Sequence, residues 1–371
     1  MYADHLLQPW LACLTEQLPG VRVFDAHTHI GDRDPSGFTA SLDELLVSLD
    51  AVDGRAAVFP LAEPEGYQVA NLACAKAAED SPHRLVAFAR ITPDERPTEL
   101  LAEALAAGAR GIKLHLSSDE FALSDPRLDD VYRIAHERRL PVMVHAGPEL
   151  TTLGDDPLHV CARWPGLRLV LAHCALTDLD RLSHHLGDTP NLFVDTSWWT
   201  PANVLAALKL VPPGRVLNAS DMPYCTPLHA TLKTIRCAWQ VGLNADQIAS
   251  ITGDQFGRLV DGAEPLDLGP PPAGEQAPIG PLLETVSTNL LAALESTQRG
   301  EDPGVCLTVA RHACTVHEDD PQAPALASVV QLLDLYDEHR ARIPQRNQYG
   351  PAWDLISAAT FVARTPAAPL P

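Results

Sequence analysis

Apolar runs that close on polar residues alternate with segments of helical periodicity over roughly the first 260 residues. The runs RVFDAHTHI, AAVFPL, LVAFARIT, GIKLHL, PVMVHAG, LVLAHC, LFVDTSW and RVLNASDMP read as buried strands. Between them lie SLDELLVSLDAV, QVANLACAKAAED, PTELLAEALAAG, LDDVYRIAHERR and LDRLSHHLG, with apolar residues three and four apart. Strand then helix, repeated about eight times, is the pattern of an α/β fold whose parallel strands close into a (β/α)8 TIM barrel. An open doubly wound sheet would carry a Gly-rich phosphate loop after its first strand. Here the first strand ends in His27, Thr28 and His29.

The barrel is expected over residues 1–262, preceded by an amphipathic N-terminal surface helix in MYADHLLQPWLACLTEQL. Residues 263–281 are rich in Pro and Gly and read as a linker. Residues 282–371 return to helical periodicity without strand signals, which predicts a helical C-terminal appendage. The easier arrangement docks it on the outside of the barrel, as scaffold support or a homo-oligomer contact, with no metal ligand among its residues. Acidic residues outnumber basic ones by 48 to 27, a formal charge of -21, which argues against nucleic acid or an anionic membrane as partner. The N-terminus lacks the basic start and apolar run of a signal peptide, and the 8 cysteines stand apart without a Cys-x-x-Cys pair. Both features point to a cytoplasmic protein without a disulfide framework.

In a parallel barrel the carboxyl ends of the strands form the active-site mouth, so polar residues there carry the functional signal. Period-two alternation puts His27 and His29 on one face of the first strand and lets Lys113 and His115 share a face of the fourth. His145, His173 and Asp221 close the fifth, sixth and eighth strands. Independent core histidines have no reason to gather at strand ends opposite an aspartate, so the joint pattern predicts a metal centre. Imidazoles and a carboxylate suit zinc or a neighbouring first-row ion, and three histidines with one aspartate leave a position open for water.

The segments DAHTHIG, GIKLH, PVMVHAG, LVLAHC, NASDMP and IASITGDQFGRLV resemble the amidohydrolase superfamily, in particular its amidohydrolase-2 branch of metal-dependent hydrolases and decarboxylases. The resemblance implies that His27, His29, His145 and Asp221 bind one divalent metal. It further implies that His173 activates water or substrate, or binds a second ion, and that Asp221 doubles as catalytic base. The expected activity is hydrolysis of an amide, lactone or ester of a small, acidic substrate by activated water. Decarboxylation on the same site is the alternative, and an inactive partner-binding barrel comes third.

Lys113 fits a cation for a substrate carboxylate, a carbamylated bridge between two metals, or a lysine whose stem packs while its head reaches water. Arg90, ending the third strand, is the other candidate for an acidic group, with a structural ion pair as its plainer role. Trp198 follows the seventh strand and is expected to wall the pocket against substrate.

Overall fold

The structure is a computed structural model that describes residues 2–273, 279–345, 347 and 349–371. Its strands are β1 (Phe24–Ile30), β2 (Arg55–Pro60), β3 (Leu85–Ala87), β4 (Ala89–Arg90), β5 (Ile112–Leu114), β6 (Pro141–Val144), β7 (Arg168–Leu171), β8 (Leu192–Asp195) and β9 (Val216–Leu217). Every ladder between them is parallel, in sequence order, with helices between strands. β3 and β4 are two halves of one stave. Phe88 N, between them, donates to Val58 O, whereas Ala89 N donates to Gly111 O, so the run pairs first with β2 and then with β5.

This is the α/β TIM-barrel architecture expected from the alternation, with a helical C-terminal region. The regular ladder does not ring the barrel, however: it divides into a three-stranded and a six-stranded sheet. The seam between β9 and β1 is spanned by Ala26 N to Asn218 O (3.0 Å) and Asp221 N to His27 O (2.7 Å). The cause lies in β9, which keeps strand geometry for only two residues before the chain turns at Asp221, whose φ of 59° lies in the left-handed region.

Phe24, Phe59, Phe88, Met143, Phe193 and Phe256 pack with small residues to fill the barrel interior. Each such side chain, taken from water, stabilises the fold by about 1.5–3 kcal/mol. β1 reaches the mouth through a register shift against β2. Asp25 pairs with Ala56 and Thr28 with Val58, so β1 carries one more residue than its neighbour over this stretch. Ala26 and His27 therefore both lie opposite Ala57, an interior residue. The extra residue moves the inward face from Phe24 and Ala26 below to His27 and His29 above.

The C-terminal helices Pro281–Gln298, Gly304–Ala313, Ala323–His339 and Trp353–Arg364 match the periodic segments of the sequence. They do more than line the outside of the barrel. Helix Trp353–Arg364 packs on barrel helix Pro227–Gln240, and both Tyr349 and Trp353 reach the cavity at the mouth. The N-terminal helix Asp4–Thr15 is correspondingly no free surface helix: it buries Leu7, Trp10, Leu11 and Leu14, and Trp10 Nε1 donates to Ser328 Oγ (2.8 Å). On Pro227–Gln240, the buried Arg236 guanidinium meets Thr365 Oγ1, Thr365 O and Pro369 O at 2.9–3.0 Å. The linker starts its return where Gln255 grips Leu266 through both its amide nitrogen and its oxygen. Among the described residues no helix is long and apolar enough to cross a membrane.

At the opposite end of β1, a Cβ on Gly253 would lie 2.5 Å from Arg22 O and 2.9 Å from Phe24 N. Backbone atoms cannot yield as a side-chain tip can. Gly253→Ala should destabilise the protein by about 1–3 kcal/mol, read as a lower urea midpoint at unchanged slope. An unchanged midpoint would show that β1 is not held there.

Candidate metal centre

Three groups expected from the sequence to bind metal meet at the mouth. His27 Nε2 and His29 Nε2 each approach Asp221 Oδ1, at 2.9 and 3.0 Å, and lie 3.3 Å from one another. Each imidazole has its other nitrogen engaged: His27 Nδ1 with Asp195 Oδ2 (2.9 Å), His29 Nδ1 with Pro60 O (3.1 Å). An acceptor at Nδ1 fixes the proton there and leaves the Nε2 lone pair facing inward. Two lone pairs and a carboxylate oxygen thus share one small volume, with the Lys113 ammonium 3.1 Å from His27 Nε2 as the nearest source of positive charge. A divalent ion about 2.0–2.2 Å from each donor would set them about 3 Å apart, so their chemistry and spacing both fit one.

Burial pushes the His29 imidazole down to about 4, against the opposing pull of Asp221. For His27 burial lowers the pKa, but the charge of Asp221 together with the hydrogen bonds to Asp195 and Asp221 outweighs it, and the pKa is raised. Asp221 lies well below the usual carboxylate range, because desolvation, which would raise it, is overcome by its interactions with His27 and His29. Lys113 is fully buried, which brings it down to about 8 although Asp221 pulls the other way.

His145 stands outside this trio among the described residues. Its Nε2 meets Glu149 Oε2 at 2.8 Å, and its Nδ1 faces His173 Nε2 at 3.0 Å. His173 Nδ1 in turn meets Ser197 O at 2.8 Å. With protons committed to Glu149 and Ser197, two further lone pairs oppose one another. Burial, reinforced by His145, carries His173 down to about 3, so the ring is neutral. His115 stacks on His145 with centroids 3.9 Å apart.

The sequence reading did not single out Asp195. Its Oδ1 accepts from His173 N and Ser197 N, both at 2.9 Å, while Oδ2 holds His27. Despite full burial it lies at about 2, kept ionised by the hydrogen bond and charge of His27. Its signal was present: like His145 and Asp221, it closes a strand. His173 and Asp221 both have left-handed φ, 56° and 59°, as does Cys174 at 60°. Such conformations cost about 1–3 kcal/mol each and persist where the surroundings impose them.

His27, His29, Lys113, His145, His173 and Asp221 line a cavity of about 920 Å³. Arg90 is on its wall, but its guanidinium is bonded to Asp119 (2.9 Å) and Ser118 and lies 4.6 Å over the Tyr67 ring. Trp198 is on the wall too, its ring 5.9 Å from His173. Tyr224, Lys233, Tyr349 and Trp353 also line it, with the Tyr224 ring 6.3 Å from that of His29.

A comparison with curated proteins finds no match. Among solved structures, the chain is similar to an uncharacterised TIM-barrel protein from Bordetella bronchiseptica, with 17% identity, a TM-score of 0.51, and 65% of this chain and 99% of that chain covered. It is likewise similar to 2,6-dihydroxybenzoate decarboxylase from Rhizobium (15%, TM-score 0.52, 65% and 99%). A third is a probable 2-pyrone-4,6-dicarboxylic acid hydrolase from Acinetobacter baumannii (16%, TM-score 0.50, 65% and 99%). At these identities the likeness shows the fold alone. The family model for amidohydrolases, Amidohydro_2, matches residues 24–254, from the first residue of β1 to the turn that precedes Gln255. The chain belongs to the amidohydrolase family that this model describes.

Proposed function

We propose that the protein is a metal-dependent hydrolase that cleaves an amide, lactone or ester of a small carboxylated substrate. The observation that carries this reading is the convergence of His27 Nε2, His29 Nε2 and Asp221 Oδ1, which lie 2.9–3.3 Å from one another. A divalent ion, with zinc the best match to two imidazoles and a carboxylate, would be held there. When bound, such an ion lowers the pKa of water to about 7 in favourable sites and polarises a carbonyl.

The chain's own residues supply the rest. Asp221 receives both histidines on Oδ1, and its Oδ2 has no partner among the described residues, so it is placed to take a proton from the attacking water and return it to the leaving group. Asp195 holds the His27 tautomer. His173 orients the water or the reacting carbonyl. Lys113 meets the substrate's carboxylate nearest the metal, and Trp198 walls that end. The hydrolase and the decarboxylase among the solved structures are both named for carboxylic acids, which supports an acidic substrate.

Two observations favour further readings. Rings of Phe38, Trp198, Tyr224 and Trp353 on the cavity wall would seat an aromatic acid, the substrate type of the decarboxylase alternative. The opposed lone pairs of His145 and His173 favour a second ion beside Lys113.

Four outcomes test these assignments. Metal-loaded protein offered carboxylated lactones, esters and amides in 18O-labelled water should place label in the product. Carbon dioxide release from aromatic acids, without labelled hydrolysis product, would establish the decarboxylase instead. His27→Ala should lose the metal of the three-donor site, with turnover falling at least a hundredfold; a fully loaded variant would remove His27 from the ligand set. In His173→Ala, metal content should hold while turnover falls, whereas loss of one of two equivalents would establish the binuclear site. Asp195→Asn should weaken metal retention about 10–100-fold in a chelator competition.

A further inference from the structure

Helix Pro227–Gln240 carries two buried cations, and the structure treats them differently. Arg236 is fully enclosed by three acceptors of the C-terminal segment. Lys233 is 2% exposed, yet its ammonium has a single hydrogen bond, to Trp198 O at 2.8 Å. No carboxylate of the described residues pairs with it, in a chain whose formal charge is -21. A buried charge without a counter-ion is costly, and here it lies against a cavity that an anion could enter.

Two neutral donors stand beside it. One turn earlier on the helix, His229 is 1% exposed and its Nε2 has no partner. Its Nδ1 lies 3.1 Å from Cys225 Sγ. Burial pushes the Cys225 thiol up to about 12, so it remains S–H; its two acceptors are Nδ1 at 3.1 Å and Thr226 O at 3.6 Å, and donation across the shorter contact puts the ring proton on Nε2. Trp353, from the C-terminal helices, packs 5.9 Å from His229 and is 3% exposed, and among the described residues neither its indole N–H nor His229 Nε2 has a partner. All three residues, with Cys225, line the same cavity as the metal centre. Trp198 connects the two ends: its carbonyl holds Lys233, and its ring rests against His173.

We propose that Lys233, His229 and Trp353 form a second anion subsite, which takes a carboxylate of the substrate at the end of the cavity built by the C-terminal helices. One cation and two neutral N–H donors match a planar monoanion with two oxygens. The substrate is then an acid with a distal carboxylate, held apart from the bond that reacts. The inference rests on the reading of this cavity as the substrate site of the proposed hydrolase, but its test needs no turnover.

The test compares benzoate with isophthalate, which adds a second carboxylate, by calorimetric titration of the metal-loaded full chain. Isophthalate should bind at least tenfold more tightly. Lys233→Met should erase that preference while bound metal and melting temperature stay close to the parent values. Trp353→Phe, which removes only the N–H, should weaken isophthalate about threefold or more, and this second variant decides the matter if Lys233→Met fails to fold. A parent protein with no preference, or variants that keep it, would overturn the subsite. A preference dependent on Lys233 in a protein that releases no hydrolysis product would refute the hydrolase and leave the subsite standing. Hydrolysis accompanied by an unaltered preference in both variants would refute the subsite alone.

Discussion

The mouth of the barrel depends on one extra residue in β1 between Asp25 and Thr28. A strand alternates faces strictly, so without that residue the inward set starting at Phe24 and Ala26 would continue to Thr28, and both histidines would face the helices. The bulge is held from three sides. Asp25 Oδ1 accepts from His27 N and Ser220 N, each at 3.0 Å, and His27 O accepts from Asp221 N at 2.7 Å. Through these bonds the chain's first and last staves position each other's functional side chains.

What that geometry gathers is electrically unfinished. Asp195 and Pro60 O fix the ring protons of His27 and His29 on the far side, and Glu149 and Ser197 O do so for His145 and His173. Electron-rich atoms face one another inside a buried site beside the Lys113 ammonium, an arrangement that a divalent cation would stabilise further. Elsewhere on the cavity wall the imbalance has the opposite sign, with Lys233 paired with no carboxylate among the described residues.

The sequence was most informative where a chemical group falls at the end of a strand. Parallel barrel topology, His27, His29 and Asp221 at one site, and the helical C-terminal region are all readable from periodicity and strand ends. The bulge was not readable, because Ala26 is as compatible with one face as with the other. Asp195 was passed over although it closes β8, since its partner His27 is distant in sequence. Arg90 could be read as a substrate ligand until the structure supplied Asp119, from the loop after β5, as its partner. The contribution of Tyr349 and Trp353 to the cavity depends on how the C-terminal helices dock on Pro227–Gln240, a tertiary packing choice that periodicity does not encode.

The proposed role of the electron-rich cluster at the barrel mouth is to hold a divalent cation. The most direct measurement is anomalous diffraction at the zinc edge from crystals of the zinc-loaded protein. The account predicts a peak in contact with His27 Nε2, His29 Nε2 and an Asp221 oxygen. A fully loaded crystal with no peak there, or with zinc held only by groups outside the barrel mouth, would contradict it.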